Sequence, residues 1–421
     1  FLCPRFCAGL GDPALAHVDV KSAVKCNDAD NRKTSNVPIP DDIKVLVHAL
    51  QRLGICESNG IDLSWRSSSE GEPCLVSAWP DGVPRPLNDL PPLHNAIFAS
   101  SLESSVAIRV RTRSTQYIAS KEGAIRSLSQ DGARFHGRVA VCDTFSGAAD
   151  ALKEVPLASA LLVRGVGTWV LAQTVPHALI LAFYLDTVCR VQMLVGPSRA
   201  VVEPEAAVWA KAKGQCSKGL MEWPAVKAWL KGETLSLRIA EGQREGVRGS
   251  FEWEVRHALW NAHQDVVRRG EDQLTWNHMS AKFDGGLLLT PGDRMWESIT
   301  PESFKLSSSN VTADVLHRAV YTALPSAQAV VHLHATAVQA VSCLQEGVQL
   351  DKGSPLADCV SYHDWEGISD DFDEQQRVVA AIEQVPSCKA LILRNHGAIT
   401  IGNSVEEALQ LFWALDTACQ K

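Results

Sequence analysis

The sequence contains no apolar run that reaches the ~18 residues needed to span a bilayer. Its longest candidate, Ala178–Val188, is a helix-length run interrupted by Asp186 and reads as a buried helix. Nor is there an excess of basic charge. Lys and Arg total 40 against 48 Asp and Glu, and the net charge of −8 leaves no basic footprint for nucleic acid or an anionic membrane. The 12 cysteines include no CxxC pair and no Cys/His finger spacing. Cys3 and Cys7 have no matching second pair, so free thiols in a reducing compartment are expected rather than a disulfide framework. That places the protein in the cytoplasm or in an organelle lumen, stroma or matrix.

What remains is the composition of a soluble globular protein, 46% hydrophobic and 21% charged. A chain of 421 residues is too long for one ordinary core and implies two or three domains. It begins at Phe1 rather than Met, which fits a processed or trimmed product, with Phe1–Leu10 a candidate remnant of a targeting sequence.

The chain repeats itself once. Ala160–Cys189 aligns without a gap on Ala390–Cys419, sharing Arg164/Arg394, Gly167/Gly397, Ala178/Ala408 and the Leu-Asp-Thr triplets that begin at Leu185 and Leu415. A second block aligns Leu93–Phe98 with Leu316–Tyr321 and Val106–Arg111 with Ala329–His334. Two blocks in the same order argue for two diverged copies of one domain. The first copy spans 40–195 and the second 252–421. Residues 1–39 read as an extension, and 196–251 as a connector with Lys-Gly turns and one short helix, Pro224–Lys231.

In the second copy Glu252–Arg269 has helical spacing and stops at Gly270. Met279–Leu289 reads as a hairpin turning at Asp284-Gly285-Gly286, and Thr312–Ala323 as an amphipathic helix. Ala329–His334, Leu391–Asn395 and Ile399–Ile401 read as strands, and Ser404 with Glu407 as a capping box for the last helix. This order lacks the regular alternation of a doubly wound sheet. An α/β layered domain with a mostly antiparallel central sheet fits it, present twice.

His332 and His334 stand two apart on a strand, so both imidazoles leave the same face. His396 stands at a strand end before Gly397, whose small size permits a tight turn. Three neutral imidazoles without a fourth protein ligand suit one divalent metal with an open position; zinc leads, although Co²⁺, Mn²⁺ and Fe²⁺ take the same ligands. Alone, a His-Leu-His strand is as compatible with packed side chains as with ligands. The first copy decides for ligands: the matching positions hold Arg109, Arg111 and Val166, a joint loss expected of one shared site. Arg109 and Arg111 are then placed to bind an anion or to pair with acidic groups, inside the domain or on a partner.

Four motifs occur in order: Trp276-Asn277-His278-Met279-Ser280, Ala329–His334, Tyr362-His363-Asp364-Trp365-Glu366-Gly367 and Leu393-Arg394-Asn395-His396-Gly397. Together they resemble the class II aldolase/adducin family, particularly its adducin-like branch, closely over 252–421 and in degraded form over 40–195. The resemblance implies an α/β/α domain with a central antiparallel sheet, homotetrameric enzymes with sites at subunit interfaces, and, in adducin, a cytoskeletal protein without known catalysis. It implies that His332, His334 and His396 bind the metal and that Asn277 and Ser280 line a substrate pocket. The family carboxylate used as acid/base falls at Ala313, with Asp314 pointing about 100° away on the same helix. The phosphate-binding serines fall at Val311 and Thr312, and Asp293 in Thr290-Pro291-Gly292-Asp293 opposes a phosphate. A sugar-phosphate aldolase of the usual kind is therefore not expected. His363, Asp364 and Glu366 remain as acid/base candidates, or else as a solvated loop before the acidic run Asp370–Glu374. His278 reads as a loop hydrogen-bonder, and His317 as a packed helix-face residue because its counterpart His94 survives in the copy without ligands.

Two functions follow. One is a metal-dependent lyase acting beside a carbonyl on a small substrate; the other is a non-catalytic, adducin-like scaffold with a structural or vestigial metal. In either case the expected assembly is a homodimer or a subunit of something larger, without nucleic acid and without a transmembrane segment. The first copy would then serve as the neighbouring wall that enzyme relatives take from another subunit.

Overall fold

The computed structural model describes residues 39–56, 61–66, 73–78, 85–86, 92–100, 104–232, 250–272, 274–283, 286–306, 312–364 and 372–421. Residues 1–38, most of the expected extension, lie outside them, as do the Asp284-Gly285 turn and Glu366.

Two sheets organise the chain. The first contains β1 (Ile61–Arg66), β2 (Pro73–Ala78), β3 (Arg85–Pro86), β4 (Val106–Val110), β5 (Val139–Cys142), β6 (Ala160–Val163) and β7 (Gly167–Ala172), ordered β3-β2-β1-β4-β7-β6-β5. The second contains β8 (His278–Phe283), β9 (Gly286–Leu289), β10 (Lys305–Leu306), β11 (Ala329–Leu333), β12 (Val360–His363), β13 (Ala390–Leu393) and β14 (Gly397–Gly402), ordered β10-β9-β8-β11-β14-β13-β12. The order is the same in both. Among the described strands only β5–β6 and β12–β13 pair in parallel, so both sheets are mixed but mostly antiparallel. Register matches too, with Ser64 opposite Ala107 as Ser280 is opposite Val330.

The elements of the C-terminal region follow the sequence periodicities closely. The helix Phe251–Arg269 is capped by the Ser250 side chain and ends at Gly270, whose φ of 68° only glycine adopts freely. The last helix, Val405–Cys419, takes its cap from Ser404, but Glu407 reaches the backbone N–H of Asn403 rather than that of Ser404. The apolar run expected at Ala178–Val188 extends to Val175–Val195. By length and composition this helix is long enough to cross a bilayer, yet 83% of its most apolar window is buried inside the fold. It is the central helix of the first core, packed with Ile43, Leu46, Val106 and Val170.

The connector departs from expectation. Besides Glu222–Leu230, a second helix covers Ala206–Gln215 and includes Lys213-Gly214, which the sequence suggested as a turn. Its four alanines and two lysines are strong helix formers, and Trp209 buries against Ala133 and anchors it. One interior glycine costs only ~1 kcal/mol against those gains.

The two regions are joined along a seam by an apolar cluster and by hydrogen bonds. Leu128, Val191 and Val195 pack on Ala340, Val341, Cys343 and Leu344. Asn395 is the polar clamp: its Nδ2 donates to Leu128 O at 2.8 Å and to Val202 O at 3.0 Å, while its own carbonyl accepts from Gln130 N at 2.6 Å. Asn395 has φ 55°, a left-handed conformation that asparagine tolerates better than most residues. Asn395→Ala should therefore cost about 2–4 kcal/mol, from two lost hydrogen bonds and left-handed strain. Asn395→Gly should recover the strain part. Urea unfolding of the full chain checks this; a cost below ~0.5 kcal/mol for the alanine variant contradicts the clamp.

His263 offers a second test. It lies fully buried against Trp296 and Phe304, bonded to Leu259 O at 2.7 Å and Thr290 Oγ1 at 2.9 Å. Burial holds its pKa at about 4, and His177 is lowered to about 4 by burial and then Lys218, Arg134 and Arg138. Unfolded histidine titrates near 6.5, so between those values the unfolded chain binds protons that the fold refuses. The stability these residues supply is complete above pH 6.5 and is lost as pH falls towards 4, at up to ~1.4 kcal/mol per pH unit for His263. Asp416, pushed up to about 6 by burial and then Glu271, opposes this with one group. From pH 7 to 5 the unfolding free energy of chelator-treated protein should fall by about 2 kcal/mol or more. A stability that is flat or rising over that range contradicts the buried neutral histidines.

Candidate metal centre

β11 ends at Leu333 and sets His332 and His334 on one face, while the tight turn between β13 and β14 brings His396 across to them. The approach depends on Gly397. A Cβ there would lie 2.8 Å from Leu333 O and 2.9 Å from His334 Cδ2, so any side chain would push the turn away from β11. The result is a cluster in which His334 Nε2 stands 2.9 Å from His332 Nε2 and 3.0 Å from His396 Nε2. Among the described residues it is the one group of three or more His, Cys, Asp or Glu so arranged.

The chemistry of the cluster fits a cation. His332 Nδ1 donates to Ala398 O at 3.1 Å, which leaves Nε2 as a lone pair aimed at the other two rings. Burial, then His332, His396 and Arg134, pull the His334 pKa well below its ordinary value. Burial, then His332 and His363, do the same for His396. All three rings are thus neutral at pH 7, as ligation requires, and nitrogens ~3 Å apart match ligands placed ~2.1 Å from one shared ion. His332 and His334 are only 1% and 5% exposed, and the cluster opens to solvent on the His396 side.

Asn277 and Ser280 are both buried and turned towards the protein. Asn277 Oδ1 accepts from His334 N at 3.0 Å and its Nδ2 donates to Glu271 O at 2.8 Å, so it fixes the backbone of the central histidine. Ser280 Oγ lies 2.6 Å from His317 Nδ1 and 2.9 Å from Tyr321 OH. His278 is not the loop residue suggested by the sequence. It starts β8, directly opposite His332, with its ring centroid 4.5 Å from that of His332 and Nδ1 2.5 Å from His317 Nε2. Strand register, which the linear sequence does not display, put it there.

His363 ends β12 and is buried, with Nε2 3.0 Å from Glu374 Oε1. Burial alone would raise the Glu374 pKa, but His363 and Arg377 hold it below the usual range. His363 is therefore not part of a solvated loop: the helix Phe372–Glu383, which takes in the end of the acidic run, buries Glu374 behind it. Asp364 is exposed and Glu366 lies outside the described residues. Val311 also lies outside them, whereas Thr312 opens the helix that carries Ala313 and Asp314. Asp293 is paired with Lys305 at 2.8 Å, which offsets its charge.

The first region supplies what sequence reasoning did not find. Its short 3-10 turn Gln130–Arg134 enters the seam beside the cluster. Arg134, 8% exposed, stacks on Tyr184 at 3.9 Å, approaches Asp131 at 3.6 Å and depresses the pKa of His334 across the seam. Burial raises the pKa of Asp131, which is hydrogen-bonded to Gln339; Gln339 Nε2 in turn donates to His334 O at 2.8 Å. Arg190 Nη1 donates to Thr336 Oγ1 at 2.9 Å in the same seam. Nothing local in Gln130–Arg134 advertises this; packing between regions creates it.

The profile of the family described as "Class II Aldolase and Adducin N-terminal domain" matches residues 257–421. Alpha-adducin of Mus musculus is 33% identical over 172 residues, which is 36% of this chain but only 23% of that protein. An aldolase class 2 protein of Pseudomonas aeruginosa is 31% identical over 185 residues, 40% of this chain and 70% of its own length. A solved aldolase II superfamily protein from Pseudomonas syringae is 30% identical, covering 41% of this chain and 76% of its own, with a TM-score of 0.37. The C-terminal region is a class II aldolase/adducin domain, and the chain belongs to the class II aldolase/adducin family.

Proposed function

We propose that the C-terminal region, 252–421, is a metal-dependent lyase domain that breaks a C–C or C–O bond, or removes a carboxyl group, beside the carbonyl of a small substrate. The observation that carries this reading is the convergence of three neutral Nε2 atoms, with separations of 2.9 and 3.0 Å about His334. A divalent ion held by His332, His334 and His396, with zinc as the first candidate, would supply Lewis-acid polarisation of substrate oxygens. The protein does the rest. Asn277 and Gln339 fix the His334 backbone, and Ala398 O fixes the His332 tautomer. Arg134 sets a positive charge beside the site, where charge building on substrate oxygens needs it. His363, oriented by Glu374, holds or moves the proton, with Asp364 and Glu366 as its neighbours in sequence.

The region 40–195 is, in this reading, a second copy of the same domain that has lost its ligands and become the wall of the site. Shared strand order and register support it. So does a shared network: Ser64 Oγ lies 2.8 Å from His94 Nδ1, and His94 Nε2 lies 2.7 Å from Asp62, as Ser280, His317 and His278 are joined in the other region. Residues 196–251 connect the two. The eight cysteines whose side chains are described are free thiols. With the wall in the same chain, a homodimer or a place in a larger assembly suffices where single-domain enzymes need more subunits.

Similarity to adducin and the burial of His332 and His334 favour a second reading, a scaffold with a structural metal. Metal-loaded full-length protein, tested on a panel of hydroxy-carbonyl compounds and keto acids, separates the two. A lyase turns over at least one compound, loses about 100-fold or more of kcat in His334→Ala, and loses a comparable factor in Arg134→Gln while that variant keeps its metal. No turnover across the panel, or equal turnover in His334→Ala, favours the scaffold.

A further inference from the structure

The place in the first sheet that corresponds to the histidine cluster is not filled in. A cavity of about 240 Å³ is lined there by Arg109, Val110, Arg111, Gln116, Val166 and Gly167. Arg109 and Arg111 are two apart on and just beyond β4, so both guanidinium groups serve one face. Arg109 is held in place: its Nη2 donates to Val166 O at 2.7 Å and its guanidinium lies 4.9 Å from the Trp169 ring. Gly167, at φ 153°, permits this, since a Cβ there would stand 3.2 Å from Arg109 Nε and Nη2. Arg109 Nε itself is buried without a hydrogen-bond partner. Arg111 is exposed at the mouth beside Val166.

Around the cavity, among the described residues, two guanidinium groups face one nearby carboxylate, Asp62, whose charge acts on Arg109. Burial and then Arg111 lower the pKa of Arg109, so the two cations repel in a half-buried setting. Asp62 is the nearby carboxylate, but its Oδ1 is engaged by His94 Nε2 at 2.7 Å. Arg164 and Asp143, beyond the turn, pair with each other at 2.8 Å. Among the described residues neither Arg109 nor Arg111 is ion-paired with a carboxylate. A planar guanidinium with free donors and a desolvated neighbour is matched by an oxyanion, which accepts two parallel hydrogen bonds.

We propose that this cavity binds a small oxyanion, a carboxylate or phosphate group, between Arg109 and Arg111. A cation centre in one region would thus have an anion centre as its counterpart in the other. The inference stands whether or not the C-terminal region is catalytic.

Isothermal titration of chelator-treated full-length protein with malonate and, separately, with inorganic phosphate tests it at fixed ionic strength. Saturable binding of either probe is expected, weakened about tenfold or more in Arg111→Gln and unchanged in His334→Ala. Malonate alone or phosphate alone would name the ligand class, and both outcomes support the site. Because Arg111 is exposed, its substitution leaves the fold intact, which circular dichroism verifies. The proposal is overturned if neither probe gives saturable heat, if Arg111→Gln binds as wild type does, or if His334→Ala removes binding and so moves the anion to the other region.

Discussion

Ring nitrogens held about 3 Å apart inside a protein need a proton or a cation between them. With the His332 tautomer fixed by Ala398 O, its Nε2 is a bare lone pair, and His334 Nε2 can donate a proton to only one neighbour. Burial removes the other remedy, because it drives all three rings to the neutral form. The arrangement is therefore unfavourable on its own and favourable around a divalent ion. Much of the C-terminal region serves this constraint: Gly397 lets the turn approach, Asn277 and Gln339 hold the His334 backbone, and β8 brings His278 against His332.

The same constraint explains the joint between the regions. A cluster at the ends of the central strands β11 and β14 is open to one side unless something packs beside it, and the seam formed with the helix Val175–Val195 and the turn Gln130–Arg134 lies there. Charged groups survive there because each has an answering group: Arg134 has Asp131 and the Tyr184 ring, Asp131 has Gln339, and Arg190 has Asp186 and Thr336. Asn395 ties the joint to the site directly, since it sits one residue before His396 and spans to Leu128 and Val202. Rigidity of the seam and position of the third histidine are thus one property.

Much of this was legible in the sequence, and the division is physical. Period-two spacing put His332 and His334 on one face, and a histidine before a glycine at a strand end marked His396. Helical periodicity and stop residues found Phe251–Arg269 and Thr312–Ala323 to within a residue at each end. These are local signals. The role of His278 depends on strand register against β11, and Arg134 and Asp131 act across an interface about 200 residues away in sequence, so none of them shows in a local pattern. Glu374 closes an acidic run, and charge patterning does not reveal that His363 pairs with it. The helix Ala206–Gln215 was hidden by a Lys-Gly pair that packing of Trp209 overrides.

Everything rests on whether a cation belongs among His332, His334 and His396. The most direct measurement is the metal content of the native full-length protein by plasma mass spectrometry, beside a folded His334→Ala variant. The account predicts about one equivalent of a divalent transition metal per chain in the wild type and essentially none in the variant. Wild-type protein purified without chelators that contains no metal, or a variant that retains the same amount, contradicts it.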